Sequence, residues 1–302
     1  MASALGPVLT STLNTSDYEG CLSAWCNYLA QKIHLETRLS SIESEKWSAS
    51  HLTGSRVAWL ENDLGEPWLR IIEDPSAKSF EPFSSYGWLS LEICVEDVDA
   101  IYRDLRDSPF KIIGPPADLD VSPDIRAMQV VGPAKEILYL TQIKAHVPGF
   151  ELPFARCRVD RLFIPVLVAE NRENALSVYT SFPQTNGMPF ETKITVLNRY
   201  LEFPAHQRHP VATIQLSGEN LIEIDQVTGL ESIPGATRLE REGITVMTFA
   251  LRDFFELTDS SERYIIPNGP FAGKSAVLLR GSSNENIELM EFDPLMELET
   301  RR

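Results

Sequence analysis

Two polar side chains stand out because each lies on a predicted strand. Glu92 interrupts the run GWLSLEICV, residues 87–95, in which Leu91 and Ile93 predict one face of a core strand. A carboxyl group in such a place either forms an ion pair or, through burial, has a raised pKa that suits acid or base catalysis. His209 begins the run HPVATIQL, where apolar alternation predicts that it faces away from the core. It is either a general base, a metal ligand or an exposed residue at the end of a strand.

The strand that carries Glu92 begins a unit whose pattern predicts one helix and three more strands. Residues 98–105 have apolar side chains at helical spacing, and Asp97 occupies the position of an N-cap. Three strand-like runs follow, at residues 110–113, 126–131 and 137–143. The unit therefore predicts the order βαβββ.

The same order of patterns occurs four times along the chain. The predicted copies span about residues 7–75, 86–144, 159–227 and 243–293. A repeat of this kind indicates that the fold is built from one unit used several times. Residues 145–158 contain two prolines and predict a linker between two domains.

The second copy resembles the repeating module of the vicinal oxygen chelate superfamily, which includes glyoxalase I, extradiol dioxygenases and bleomycin-resistance proteins. The resemblance rests on the segments VEDVDAIYRDL, FKIIGPP and EILYL, the last preceded by Gly132-Pro133. It implies an α+β fold in which four βαβββ modules pair into two half-open, barrel-like domains. The layout of extradiol dioxygenases further implies an N-terminal domain of modules one and two, residues 1–144, and a C-terminal domain of modules three and four, residues 159–302.

The resemblance also implies where a metal would be bound. In metal-binding members, the ligands come from the first and last strands of each module. The first-strand positions here are not metal ligands: Thr10, Ser90, Ile164 (or Arg161 if the strand is longer) and Val246. The last-strand positions are Arg70, Tyr139, Glu223 and Glu288. We therefore expect no cofactor, and a divalent metal bound by His209, Glu223 and Glu288 is the alternative.

Candidate catalytic residues follow from the same positions. Glu223 and Glu288 are expected to face one C-terminal cleft as acid and base, with His209 nearby. In the N-terminal cleft, Glu92 either forms a bridge with Arg70 or moves a proton while Arg70 binds an oxygen of the substrate. The residues expected to contact the substrate are Arg70, Tyr139, Trp88 (at the mouth of the N-terminal cleft), Ser90 and Asp225.

These positions leave three functions open. The first is an isomerase or lyase that transfers protons in a small organic molecule, for example an aromatic or carbonyl-bearing one, without the usual metal. The second is a non-catalytic protein that sequesters a small molecule, as bleomycin-resistance proteins do, in a pocket lined by Trp25, Trp59, Trp68 and Trp88. The third is a divergent metal-dependent dioxygenase or lyase.

Composition limits the partners. The 302 residues include 27 Lys and Arg against 43 Asp and Glu, a formal charge of −16, and no basic patch is present. Nucleic acid and anionic membrane surfaces are therefore excluded as partners. No apolar run approaches the roughly 18 residues of a membrane span, and the four cysteines lack metal-ligand spacing. We expect a cytoplasmic homodimer that binds a small molecule.

Overall fold

The computed structural model describes residues 3–120 and 122–291, which form the four predicted βαβββ modules. Module one contains β1 (Leu5–Thr15), α1 (Tyr18–Tyr28), β2 (Lys32–Arg38), α2 (Ser41–Lys46), a 3-10 helix (Ser50–Leu52), β3 (Arg56–Glu61) and β4 (Pro67–Glu73). Module two contains β5 (Gly87–Val95), α3 (Val98–Leu105), β6 (Lys111–Leu119), β7 (Ser122–Val131) and β8 (Ile137–Ile143).

The second half of the chain repeats this order. Module three contains β9 (Val159–Ala169), α4 (Arg172–Thr180), β10 (Gly187–Thr192), α5 (Thr195–Tyr200), β11 (His209–Gln215) and β12 (Leu221–Gln226). After α6 (Gly235–Arg238), module four contains β13 (Gly243–Leu251), α7 (Phe254–Leu257), β14 (Tyr264–Ile265), β15 (Ser275–Arg280) and β16 (Asn286–Glu291). Residues 292–302, which include the last two residues of the predicted fourth module, lie outside the described residues.

The helices that follow the first strands begin at side-chain caps. Asp97 is the predicted N-cap of α3, and its carboxylate accepts a hydrogen bond of 2.9 Å from the backbone N–H of Ala100. Asp17 and Asn171 cap α1 and α4 in the same way. Within residues 3–120 and 122–291, none of the helices has the length and apolar character that crossing a membrane requires.

The strands form two eight-stranded mixed sheets that combine the modules differently from the prediction. The first sheet joins modules one and four in the order β14–β15–β16–β13–β1–β4–β3–β2. The second sheet joins modules two and three in the order β10–β11–β12–β9–β5–β8–β7–β6. The predicted pairing of module one with two, and of three with four, is therefore wrong, and the predicted ranges 1–144 and 159–302 do not coincide with the sheets.

The error has a physical reason. At the centre of each sheet, the first strands of its two modules pair with each other in antiparallel orientation: β1 with β13, and β5 with β9. The repeated pattern predicts four similar first strands but does not indicate which two fit together, because that choice depends on side-chain packing between them. Residues 145–158 connect β8 to β9 within the second sheet, and Val147 and Leu152 are buried in an apolar cluster of that sheet. This segment is thus part of one sheet's core, not a linker between domains.

The largest apolar core lies between the sheets and includes the buried sides of α1, α3 and α4. Trp88 from the second sheet illustrates the contact, because its ring packs against Tyr179 of α4 and Phe249 of the first sheet. The other face of each sheet is turned away from this core, and a separate apolar cluster covers it. We call that face the inner face of the sheet. The polar residues described next lie on the inner faces of the two sheets.

Candidate functional site

Four polar side chains on the inner face of the second sheet form a group that we call the second-sheet cluster: Glu92, Tyr139, Glu223 and Asp225. Glu92 on β5 and Tyr139 on β8 are direct neighbours in the parallel pairing of these strands. Glu223 and Asp225 are two residues apart on β12, so both point to the same face. The intervening strand β9 contributes apolar side chains to this face, namely Ile164, Val166 and Val168.

The cluster is poorly supplied with hydrogen-bond partners. Glu92 accepts a bond of 2.7 Å from the Thr141 hydroxyl. Among the described residues, the side-chain contact of Asp225 is with Glu223 and that of the Tyr139 hydroxyl is with Ser90, and neither contact has the geometry of a regular hydrogen bond. Buried polar groups without partners cost about 1–3 kcal/mol each. Such groups are uncommon in proteins and often mark a functional site.

Burial raises the pKa values of the three carboxyl groups, and the charge of Glu223 adds to the effect at Glu92 and Asp225. Burial, followed by the charge of Glu223, raises the pKa of Glu92 to about 8. Burial raises the pKa of Glu223 to about 7. Burial, with the charge of Glu223 next, holds the pKa of Asp225 well above its ordinary value. Since no lysine or arginine in the described part of the chain counteracts these shifts, the cluster carries exchangeable protons at neutral pH.

Access to the cluster is from the side of β12. The side chain of Glu223 is partly exposed, whereas Asp225 is 0% exposed and Glu92 is 7% exposed. Glu223 pairs with Thr213 on the neighbouring strand β11, and Thr213 in turn pairs with Met188 on the edge strand β10. Met188 lines a cavity of about 240 Å³ at this edge of the sheet. The other lining residues are Asp120, Phe150, Phe190, Glu191, Thr192, Lys193 and Arg208.

The inner face of the first sheet carries a second group, which we call the first-sheet cluster: Glu43, Arg70 and Glu288. Arg70 Nη1 lies 3.3 Å from Glu43 Oε1, and Arg70 Nη2 lies 3.6 Å from Glu288 Oε2. The rings of Trp47 and Trp59 lie 4.5 and 5.0 Å from the centre of the guanidinium group. The three charged side chains are at most 3% exposed, so this is a buried ion-pair network.

The carboxylates of the first-sheet cluster have donors in addition to Arg70. Glu288 accepts hydrogen bonds from Thr248 Oγ1 at 2.7 Å, from the Trp47 ring at 3.3 Å and from the Tyr264 hydroxyl. Glu43 accepts from the Ser40 hydroxyl at 2.9 Å. The charges of the cluster are therefore paired with one another, although Arg70 Nη2 and the Trp59 ring nitrogen have no hydrogen-bond partner among the described residues, and we assign the cluster a structural role.

The residues at the first-strand and last-strand positions do not fit the metal that the resemblance implies. In the first sheet the last-strand positions hold Arg70 and Glu288, so a guanidinium cation already faces the carboxylate. In the second sheet they hold Tyr139 and Glu223, beside the uncharged first-strand residues Ser90 and Ile164. In residues 3–120 and 122–291, no three His, Cys, Asp or Glu side chains are arranged to hold a metal ion.

Glu288 and Arg70 are not where the sequence analysis expected them. Glu223 lies in the second sheet and Glu288 in the first, so the expectation that they face one cleft is wrong. Arg70 pairs with Glu43 and Glu288, so the expected bridge between Arg70 and Glu92 is also wrong. Both errors follow from the module pairing, because residues of modules that do not share a sheet cannot share its inner face.

His209 is a buried structural residue. It is 3% exposed, its Nε2 lies 2.6 Å from Asn198 Oδ1, and its ring packs against Phe203. Burial lowers its pKa. It pairs with Thr192 at the start of β11, beyond the residues of β11 that pair with β12. With Glu288 in the other sheet, the alternative metal set of His209, Glu223 and Glu288 is not assembled.

The expected substrate-contacting residues are divided by the structure. Ser90, Tyr139 and Asp225 lie together on the inner face of the second sheet, as described above. Trp88 is buried between the sheets, where its ring N–H donates to the carbonyl oxygen of Asn286 at 2.9 Å, so it is not at a cleft mouth. The other expected pocket tryptophans are also buried in apolar clusters: Trp25, Trp59 and Trp68.

Sequence reasoning missed the contribution of α2. This helix supplies Glu43, and Trp47 follows at its end, so both reach the first-sheet cluster from an insertion between β2 and β3. The Ser40-x-x-Glu43 spacing was a visible signal, since it matches a capping box. That signal predicts the start of a helix, however, and says nothing about a distant arginine.

Comparisons with known proteins support the fold. No protein-family model matches the sequence, and no curated protein matches it by sequence. Glyoxalase I from Zea mays matches the structure with a TM-score of 0.61 at 12% identity, over 97% of this chain and 95% of that one. A proposed dioxygenase from Bacillus subtilis matches with a TM-score of 0.65 at 9% identity, over 97% of this chain and 86% of that one. The chain thus has the vicinal oxygen chelate fold, as the sequence resemblance implied.

Proposed function

We propose that the protein transfers protons within a small organic molecule, as an isomerase or lyase that does not oxidise its substrate, and that the second-sheet cluster is the catalytic centre. The observation that supports this proposal is the grouping of three carboxyl groups with raised pKa values, two buried and one half-buried, beside which the described residues place no cation. A carboxyl group whose pKa is near neutrality both accepts and returns a proton at neutral pH, which is the requirement for general acid and base catalysis.

Each residue has a role in this proposal. Glu223, the most accessible acid, removes a proton from a carbon next to a carbonyl group, and the C–H electron pair moves toward the carbonyl oxygen. The Tyr139 hydroxyl donates a hydrogen bond to that oxygen as it becomes an enolate. Glu223 then returns the proton to another atom of the substrate, or the enolate electrons form a C=C bond as the leaving group departs with its bonding pair and takes the proton from Glu223. Burial keeps the pKa of Glu223 raised, and the charge of Glu223 in turn raises the pKa values of Asp225 and Glu92 further.

Deuterium exchange tests the proposal without knowledge of the natural substrate. Hydroxyketones, keto acids and aminoketones are incubated with protein in D2O, and the loss of the proton next to the carbonyl is followed by NMR. We expect exchange above the buffer rate for at least one class, and a loss of roughly 100-fold or more in Glu223→Gln. Glu170→Gln, which alters an exposed acid near the end of β9, is the matched control. Exchange at the buffer rate for all compounds, or an active Glu223→Gln variant, would contradict the proposal.

Sequestration without reaction is the second candidate function. The cavity at the β10 edge of the same sheet favours it, because Phe150, Met188 and Phe190 offer apolar surface to a ligand. The same incubations separate the two functions. A compound that binds and is recovered without deuterium supports sequestration.

The remaining expectations of the sequence analysis accompany these proposals. A small-molecule partner, the absence of a required cofactor, a homodimer and a cytoplasmic location stay predictions.

A further inference from the structure

The two clusters differ in how their acids are compensated. In the first sheet, Arg70 pairs with Thr12 across the parallel strands β1 and β4 and places a guanidinium group between two carboxylates. In the second sheet, Tyr139 pairs with Glu92 across β5 and β8 in the same way. Tyr139 thus occupies the position of Arg70. The second-sheet cluster has an additional acid and a neutral side chain where the first-sheet cluster has its cation.

We propose that the second-sheet cluster binds an organic cation with N–H donors, of the primary ammonium, amidinium or guanidinium class. The inference rests on the proposed function for the location of the site, and it adds the substrate class. The cation takes the place that Arg70 fills in the first sheet, between carboxylates that residues 3–120 and 122–291 leave without a cation.

A second observation, independent of the acids, indicates that this site accommodates a polar ligand. Tyr139 is 8% exposed and its hydroxyl has no hydrogen-bond partner among the described residues. Its pKa is raised well above the ordinary value by burial and then by the charges of Asp225, Glu223 and Glu92, so the hydroxyl faces the acids. The fully buried Ser90 hydroxyl lies next to it and likewise makes no regular hydrogen bond in the described chain. An N–H donor suits such an environment, because hydroxyl and carboxylate oxygens both accept from it.

The surroundings of Glu223 suit a small amphipathic cation. Met188, in the cavity wall, lies two strands from Glu223 on the same face, which corresponds to about 10 Å. A molecule of that length spans the distance with its cationic end toward Glu223 and Asp225 and its apolar end near Phe150 and Phe190. The formal charge of −16 also raises the local concentration of cations around the protein.

Binding replaces protons with the ligand's charge. At neutral pH the carboxyl groups of the cluster hold protons because burial, and then the charge of Glu223, disfavours their ionised forms. A cation among them favours the ionised forms, so protons are released, and N–H groups form charge-assisted hydrogen bonds with the oxygens of Asp225, to which no donor in the described residues makes a regular hydrogen bond. Affinity for a cation of constant charge is therefore expected to rise between about pH 6 and 8.

Benzamidine and benzamide test the inference, because they share size and shape and differ in charge. Isothermal titration calorimetry at pH 7.5 is expected to show benzamidine binding at one site at least about tenfold more tightly than benzamide. Asp225→Asn and Glu223→Gln are each expected to weaken benzamidine about tenfold or more, and Glu170→Gln to leave it unchanged. Titrations in buffers of different ionisation enthalpy should show proton release. Thermal unfolding confirms that each variant is folded, and Glu92→Gln replaces any variant that is not.

The inference is overturned if benzamide binds as tightly as benzamidine, or if benzamidine binding survives both acid-to-amide substitutions. Its failure is distinguishable from failure of the proposed function. Cation binding that depends on the cluster, without deuterium exchange in any compound, supports the substrate class and rejects the proton transfer. Exchange in neutral carbonyl compounds without benzamidine binding does the reverse.

Discussion

The two inner faces of this protein have similar architecture but differ in whether their acids are paired with a cation. Each holds buried acids beside the strands at the centre of its sheet. In the first sheet, α2 and Arg70 cover and neutralise them, and two tryptophan rings enclose the guanidinium group. In the second sheet the acids repel one another and one of them remains partly accessible.

This difference indicates a division of roles between duplicated units. A buried charge network whose members are all paired holds a fold in place but leaves no group free to react. A group of uncompensated acids costs stability, and such a cost is typical of functional sites. The first sheet is thus the structural half and the second sheet the candidate functional half. The following four predictions test that division.

Arg70→Met is expected to have the largest effect. The substitution leaves Glu43 and Glu288 buried without their cation, which costs about 3–5 kcal/mol of the free energy of unfolding. Urea denaturation followed by circular dichroism measures the loss. Arg103→Met, at an exposed position on α3, is the control and should change stability by less than about 0.5 kcal/mol. A loss below about 1 kcal/mol for Arg70→Met would show that the first-sheet cluster is not a structural network.

Glu92→Gln is expected to change how stability depends on pH. The pKa of Glu92 is raised from 4.5 to about 8 in the folded protein, so the unfolded chain releases this proton at lower pH. The contribution to stability is therefore lost as pH rises from about 4.5 to 8. Glu92→Gln removes this penalty and should gain on the order of 3 kcal/mol relative to wild type between pH 5 and 9. Unfolding free energies across this range measure the gain; parallel curves for the two proteins would contradict the prediction.

His209→Leu is expected to have a moderate effect on stability and none on the proposed chemistry. It removes the hydrogen bond to Asn198 and leaves the buried Oδ1 of that amide without a partner, while its nitrogen still donates to the Gln207 carbonyl, at a cost of about 1–2 kcal/mol. Deuterium exchange by the folded variant should equal that of wild type. If the folded variant lost deuterium exchange, His209 would have a role in the proposed chemistry and the prediction would be wrong.

Lys193→Met is expected to have the smallest effect. Lys193 Nζ lies 2.7 Å from Asp120 Oδ2 beside the cavity, and both side chains are substantially exposed. Such a surface pair contributes about 0–1 kcal/mol, and less at high salt. Thermal unfolding at 0.05 and 1 M salt measures this contribution. A large loss of stability that persists in 1 M salt would contradict the prediction. It would mean that the Lys193–Asp120 pair stabilises the fold as strongly as the buried charge network of the first sheet.

Local structure was largely predictable from the sequence. The alternation around Glu92 and the cap at Asp97 predicted β5 and α3, and the four modules follow the predicted order. These features are readable because alternation and capping depend on residues close together in the chain. The anomaly of Glu92 was also visible, since a charge within an apolar strand needs an explanation wherever the strand lies.

The partners of the polar residues were decided only by tertiary structure. The sequence determined that the chain contains four similar modules and that Glu92, Arg70, Glu223 and Glu288 lie on strands. It did not determine that module one pairs with module four. That pairing forms the ion pair between Arg70 and Glu288 and places Glu92 on the same face as Glu223. The reason is physical: strand patterns are local, whereas the compensation of a buried charge depends on residues brought together by strand pairing across the whole chain.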